Sequence, residues 1–124
     1  MKTSAHYIIV NKANPIQSIE IGYLRNIYYG NTTIWQNNTK IQIIDFNIDN
    51  NLKNEFCNNF LNIAPNRLSR IWLQVSLSGK ASPPLIVTSE KEMMKSVADN
   101  ENAIGYVESL KKLPDEVKVI QIMY

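Results

Sequence analysis

Residues 7–35 constrain the fold more than any other stretch, because they spell a strand, a turn and a helix in immediate succession. Tyr7-Ile8-Ile9-Val10 is short, apolar and β-branched, which predicts a buried strand. Asn14-Pro15 favours a turn and disfavours helix at Asn14. Ser18 stands where an N-cap belongs, and Ile19, Ile21, Leu24, Ile27 and Tyr28 recur at helical spacing. Gly30 is the expected left-handed stop. A unit of this kind delivers a helix N-terminus to the edge of a sheet, where unpaired N–H groups attract anions.

The same alternation continues to the end of the chain. Residues 40–45 (KIQIID) read as a strand, residues 45–51 as a loop, and Asp49 as an N-cap. Leu52, Phe56, Phe60 and Leu61 mark the inner face of the next helix. Pro65 suits the first turn of a further helix carrying Leu68, Ile71, Trp72 and Val75, and Gly79 stops it. Two prolines stiffen the loop 79–84 ahead of the strand Leu85-Ile86-Val87. Ser89 and Glu92 form a capping box, and Met93, Met94 and Val97 line the helix that it opens. Residues 103–107 (AIGYV) and 117–120 (VKVI) supply the last strands. Strands alternating with helices predict one α/β domain spanning residues 1–124, its mostly parallel sheet of about five strands covered on both faces. Ile27, Phe56, Ile71, Trp72 and Ile104 are expected to share one core, with Trp35 closing it over the first helix.

Composition removes several functions. With 124 residues the chain buries about two-thirds of its unfolded surface in one core. A net charge of +2 with only three arginines (Arg25, Arg67 and Arg70) gives no footprint for nucleic acid. No apolar run approaches the ~20 residues of a membrane span. Cys57 is the only cysteine and lies beside Phe56 and Phe60, so a buried thiol is expected, with no metal and no cofactor. His6 is the only histidine, which rules out a His-paired catalytic set, and it is expected at the surface or half-buried. Asp45 and Asp49 could pass for paired catalytic carboxylates, but a loop and an N-cap account for both. The chain is read as non-enzymatic.

Several stretches taken together resemble the second lobe of the phosphate-binding proteins of ABC transporters, which are type 2 periplasmic binding proteins. They are Asn-Pro-Ile before an amphipathic helix, Tyr28-Tyr29-Gly30-Asn31 with the following Trp35, residues 45–60, residues 70–84 (RIWLQVSLSGKASPP) and residues 103–107. The resemblance runs through residues 7–120 and implies a single-lobe α/β/α sandwich. It places the anion-gripping positions at 45–52, with Phe56 matching the family's helix phenylalanine. Here the pattern departs from the family: the loop has no arginine, and Asn50-Asn51-Leu52 stands where the family carries Ser-Gly-Thr. Losing glycine hinders backbone approach to an oxyanion, and Asp45 and Asp49 oppose its charge. A residual anion site would use Asp49, Asn50 and Asn51 facing Asn14, Gln17 and Ser18.

Two functions follow. The first is an extracytoplasmic protein-interaction or accessory module with weak or lost anion binding; the second is a phosphate- or oxyanion-binding accessory of a transport or sensing system. The face that a second lobe would cover implies a protein partner or a homodimer, with Tyr28, Tyr29, Gly79, Pro83 and Pro84 as its contact candidates. The resemblance implies a periplasmic or secreted location. No signal peptide is visible at Met1-Lys2-Thr3-Ser4, which fits a removed signal or a cytoplasmic copy; a start so close to the domain edge favours the first.

Overall fold

The computed structural model describes residues 6–124; the Met1-Lys2-Thr3-Ser4 start lies outside them. Among the described residues, six strands form one sheet: β1 (Tyr7–Asn11), β2 (Ser18–Glu20), β3 (Gln42–Phe46), β4 (Leu85–Val87), β5 (Ala103–Val107) and β6 (Val117–Met123). Their order is β2-β6-β1-β5-β3-β4. β2 with β6, β5 with β3 and β3 with β4 run parallel, while β1 is antiparallel to both of its neighbours. The helices are α1 (Ile21–Tyr28), α2 (Asn51–Phe56), α3 (Pro65–Leu77) and α4 (Glu90–Asp99), and α2 runs on into a π-helical turn, Cys57–Leu61. The expected α/β architecture with a mostly parallel sheet is the one observed.

Alternation along β5 assigns the two faces. Gly105 points at α4, where an added β-carbon would run into Met93 Sδ and crowd Val97. Glycine is needed there because helix and strand approach so closely. Asn11 confirms that face, since its Nδ2 donates to the carbonyls of Val97 and Ala98, both at 3.0 Å. Tyr106, one residue on from Gly105, points the other way and stacks on Phe56 of α2, with ring centroids 3.7 Å apart. Tyr28 of α1 meets both rings edge-on. α4 therefore covers one face, and α1 with α2 covers the other.

The sheet overrides local helix signals in two places. Ser18 is not an N-cap: Ser18, Ile19 and Glu20 pair in parallel with Gln121, Ile122 and Met123, and α1 starts only at Ile21. Backbone pairing and burial of Ile19 outweigh the hydroxyl cap, which adds the sixth strand. At α2 the cap is Asn50, whose Oδ1 accepts from Leu52 N at 2.8 Å, and Asp49 stays exposed outside the helix. Other punctuation holds. Gly30 and Gly79 take φ of +80° and +73°, Pro65 occupies the first turn of α3, and Ser89 caps α4 by accepting from Glu92 N at 3.1 Å. Glu92 reaches back to Thr88 rather than to Ser89, accepting from both its amide and its hydroxyl.

Ile27, Phe56, Trp72 and Ile104 lie in one buried cluster together with Trp35. Ile71 does not join them: it is half-buried, because the inner stripe of α3 runs through Leu68 and Trp72. The indole Nε1 of Trp72 donates to the Tyr28 carbonyl at 2.7 Å, and its ring lies against the Gly30 turn. Trp72→Ala would open a cavity and strip that carbonyl of its donor, so we expect a loss of ~3–5 kcal/mol. Urea denaturation of the variant measures it, and a loss under ~1 kcal/mol would show that the ring is not structural.

Candidate functional site

The family-like position is the passage from β3 into α2. Phe46 ends the strand, Asn50 N closes a turn onto the Asn47 carbonyl at 2.9 Å, and α2 starts at Asn51. Asp49 and Asn51 are exposed and Asn50 is half-buried. Because Asn50 Oδ1 is spent on Leu52 N, the cap consumes one of the helix's free donors. Asn14, Gln17 and Ser18 lie elsewhere. They line a cavity of about 760 Å³ with Glu20, Tyr23 and Trp35, beside the β2 edge of the sheet. Asn14 lies past the Asn11 end of β1, whereas Asn50 lies past the Phe46 end of β3. With β1 antiparallel to β5 and β5 parallel to β3, those are opposite ends of the sheet. Ser18 on β2 is separated from β3 by β6, β1 and β5. The two halves of the expected anion site are not brought together.

Beneath the α2 start lies a group that sequence reading did not find. Asp45 is not a loop carboxylate facing an anion; it belongs to β3 and is only 2% exposed. One oxygen accepts from Tyr106 Oη at 2.6 Å and from Phe46 N at 2.8 Å, and the other pairs with Lys53 Nζ at 3.2 Å. Lys53 is itself buried. Burial pushes the Asp45 carboxyl above its ordinary range, and Lys53, Tyr106 and the Phe46 amide pull it back only in part. Burial, then the Asp45 charge, also raises the phenols of Tyr28 and Tyr106 well above their usual range. Neither Asp45 nor Lys53 sits in a motif, and Tyr106 reads as a core aromatic, so only pairing β3 with β5 reveals the cluster.

His6 and Cys57 border the same core. His6 is 8% exposed, not half-buried or at the surface. Its ring lies among Phe56, Phe60 and Tyr106, with Nε2 3.3 Å from the Leu52 carbonyl. Cys57 is buried as expected, and burial with nearby Asp45 pushes its thiol up to about 11, which keeps it protonated and unreactive. Among the described residues, no three His, Cys, Asp or Glu side chains gather as a metal site.

The contact candidates also divide. Tyr28 is 1% exposed, and its hydroxyl donates to the Ile44 carbonyl at 3.0 Å, so it is a core residue and not an interface residue. Tyr29 is half-buried and donates to the Leu61 carbonyl. Gly79 and Pro83 are exposed and Pro84 is half-buried.

No protein-family model and no curated protein matches this sequence. Solved structures do match. An ABC-type phosphate transport receptor from Vibrio cholerae aligns at 25% identity with a TM-score of 0.63, over 96% of this chain and 46% of that one. A candidate phosphate ABC transporter substrate-binding protein with bound phosphate from Clostridium perfringens aligns at 18% identity, TM-score 0.75, over 96% and 45%. PstS from Borrelia burgdorferi aligns at 16% identity, TM-score 0.74, over 96% and 47%. The chain spans less than half the length of each. Among the described residues no helix is long and apolar enough to cross a membrane.

The buried pair makes a pH prediction. Lys53→Met leaves Asp45 buried without its cation, which should cost ~3–5 kcal/mol at neutral pH. The folded chain then holds the Asp45 proton at pH values where the unfolded chain, titrating near ~3.9, has released it. Stability must therefore fall as pH rises through that window and recover on acidification. Wild type has the same sign with a shallower slope, because its Asp45 is also raised. Urea melts between about pH 4 and 7 check this, with Asp45→Asn/Lys53→Met as the control that removes the Asp45 contribution. A single variant that gains stability toward neutral pH would contradict it. The fold itself is that of one α/β lobe of the kind found in these substrate-binding proteins.

Proposed function

We propose that this lobe is a non-enzymatic, extracytoplasmic module that works through a protein partner or a second copy, with phosphate binding weak or lost. The observation that carries this reading is the chemistry at the start of α2. It has no arginine and no glycine, its Asn50 oxygen is turned inward onto Leu52 N, and the lysine nearest in sequence is locked onto Asp45. An oxyanion there would meet neutral amides, Asp49 and half-open solvent, without the charge-assisted fork that holds phosphate most firmly. A helix terminus alone supplies ~0.3–1 kcal/mol to a charge. These contributions favour affinity no tighter than the millimolar range, worth ~4 kcal/mol.

Likeness to a phosphate-bound structure supports the second reading, an oxyanion-binding accessory of a transport or sensing system. Calorimetric titration with inorganic phosphate separates the two. We expect no dissociation constant below ~100 μM, and we expect Asn50→Ala to leave that result unchanged while costing ~1 kcal/mol of stability as a lost cap. A micromolar constant abolished by Asn50→Ala would establish the oxyanion reading instead.

A further inference from the structure

A groove of about 630 Å³ runs between α4 and residues 109–114, far in character from the anion candidates. Its apolar floor is shallow: Met94, only 8% exposed, and half-buried Ala98 from α4, with half-buried Pro114 from the opposite wall. Its rims are basic. Lys91 and Lys95 stand on the helix side and Lys111 and Lys112 on the other, all four exposed. The only carboxylate lining it, Glu90, accepts from the Glu108 amide, and Lys95 is paired with Asp99 across one exposed turn at 2.9 Å. Lys91, Lys111 and Lys112 make no ion pair among the described residues.

We propose that this groove docks an acidic amphipathic helix of a partner protein. Lys91, Met94, Lys95 and Ala98 follow i, i+3, i+4, i+7, one stripe of α4 about two turns long. A helix laid along it would bury an apolar stripe on Met94, Ala98 and Pro114 and set acidic residues against lysines on both sides. The two-sided charge decides the occupant. An anionic lipid presents its charge at one end of an apolar chain, whereas a helix can carry carboxylates along both flanks of its apolar stripe. A flat anionic membrane would contact the rims and leave the concave floor empty. This inference rests on the partner-protein reading given above and names the surface that such a partner would use.

Fluorescence anisotropy with three probes tests it on the full chain. The first is a synthetic helical peptide with leucines at i, i+3 and i+7 flanked on both sides by glutamates. The second is the same peptide with lysines in place of glutamates, and the third is anionic phospholipid vesicles. We expect the acidic peptide alone to bind, and to weaken about tenfold or more in Lys91→Glu/Lys111→Glu and on raising salt. Circular dichroism melts of that variant should match wild type, because both side chains are exposed. Ala98→Glu, which places a like charge on the floor, should weaken the acidic peptide as well. Equal binding of both peptides, unchanged binding by the double variant, or vesicle binding without peptide binding would each overturn the proposal. Micromolar phosphate affinity lost in Asn50→Ala would instead overturn the proposed function while leaving a peptide-binding groove intact, so the two failures are distinct.

Discussion

Tyr106 is where the lobe's central strand and its covering helices are tied together. Its ring lies on Phe56 and its hydroxyl donates to Asp45, so a single side chain joins β5 to α2 and to β3. Asp45 in turn holds Lys53, two residues inside the start of α2. A buried ion pair seldom adds net stability, but leaving either partner alone is costly, so placements of α2 that separate Lys53 from Asp45 are penalised. The observed register places Phe56 on Tyr106 and brings the π-helical turn down onto α1.

Local punctuation was the most legible part of this fold. Gly30, Gly79, Pro65, Ser89 and the run AIGYV each act through one backbone conformation or one short-range contact, and each stands in the structure where the sequence puts it. Ser18 misled because capping competes with strand pairing, and the partner strand, β6, lies about a hundred residues further along. The same limit hid the Asp45–Lys53–Tyr106 cluster. Its members are 61 residues apart at the extremes, and each has an ordinary local explanation. Tyr28 is a contact candidate only through the face that a second lobe would cover; its place on the apolar stripe of α1, already legible in the helical spacing, turns it inward to the Ile44 carbonyl. His6 looked peripheral for lying just before β1, yet its ring completes the aromatic cluster around Phe56 and Phe60.

The candidate anion site was legible only as a position. Family resemblance located the start of α2, and the missing arginine and glycine already argued against tight oxyanion binding. What the fold adds is the fate of the remaining polar groups. Asn50 turns its acceptor to its own helix, and Lys53 turns its charge into the core, so neither acts on the solvent side. Asn14, Gln17 and Ser18 could not have been placed from sequence, because their distance from Asn50 depends on strand order. With β2 at one edge and β3 four positions away, an anion held at Asn50 would have no help from them.

Two groups of lysines in this lobe thus stand in contrasting environments. Lys53 is neutralised inside and serves the register of α2. Lys91, Lys111 and Lys112 stay exposed beside the groove between α4 and residues 109–114, outside any ion pair among the described residues. Phosphate recognition needs donors converging on one small, dehydrated point, which the start of α2 does not supply. A docked helix needs only a stripe of apolar contact with charges spread along its rims, and such contacts tolerate water at the edges. Under the proposed docking, the four lysines that line the groove between α4 and residues 109–114 suit an extended acidic surface better than a single small ion.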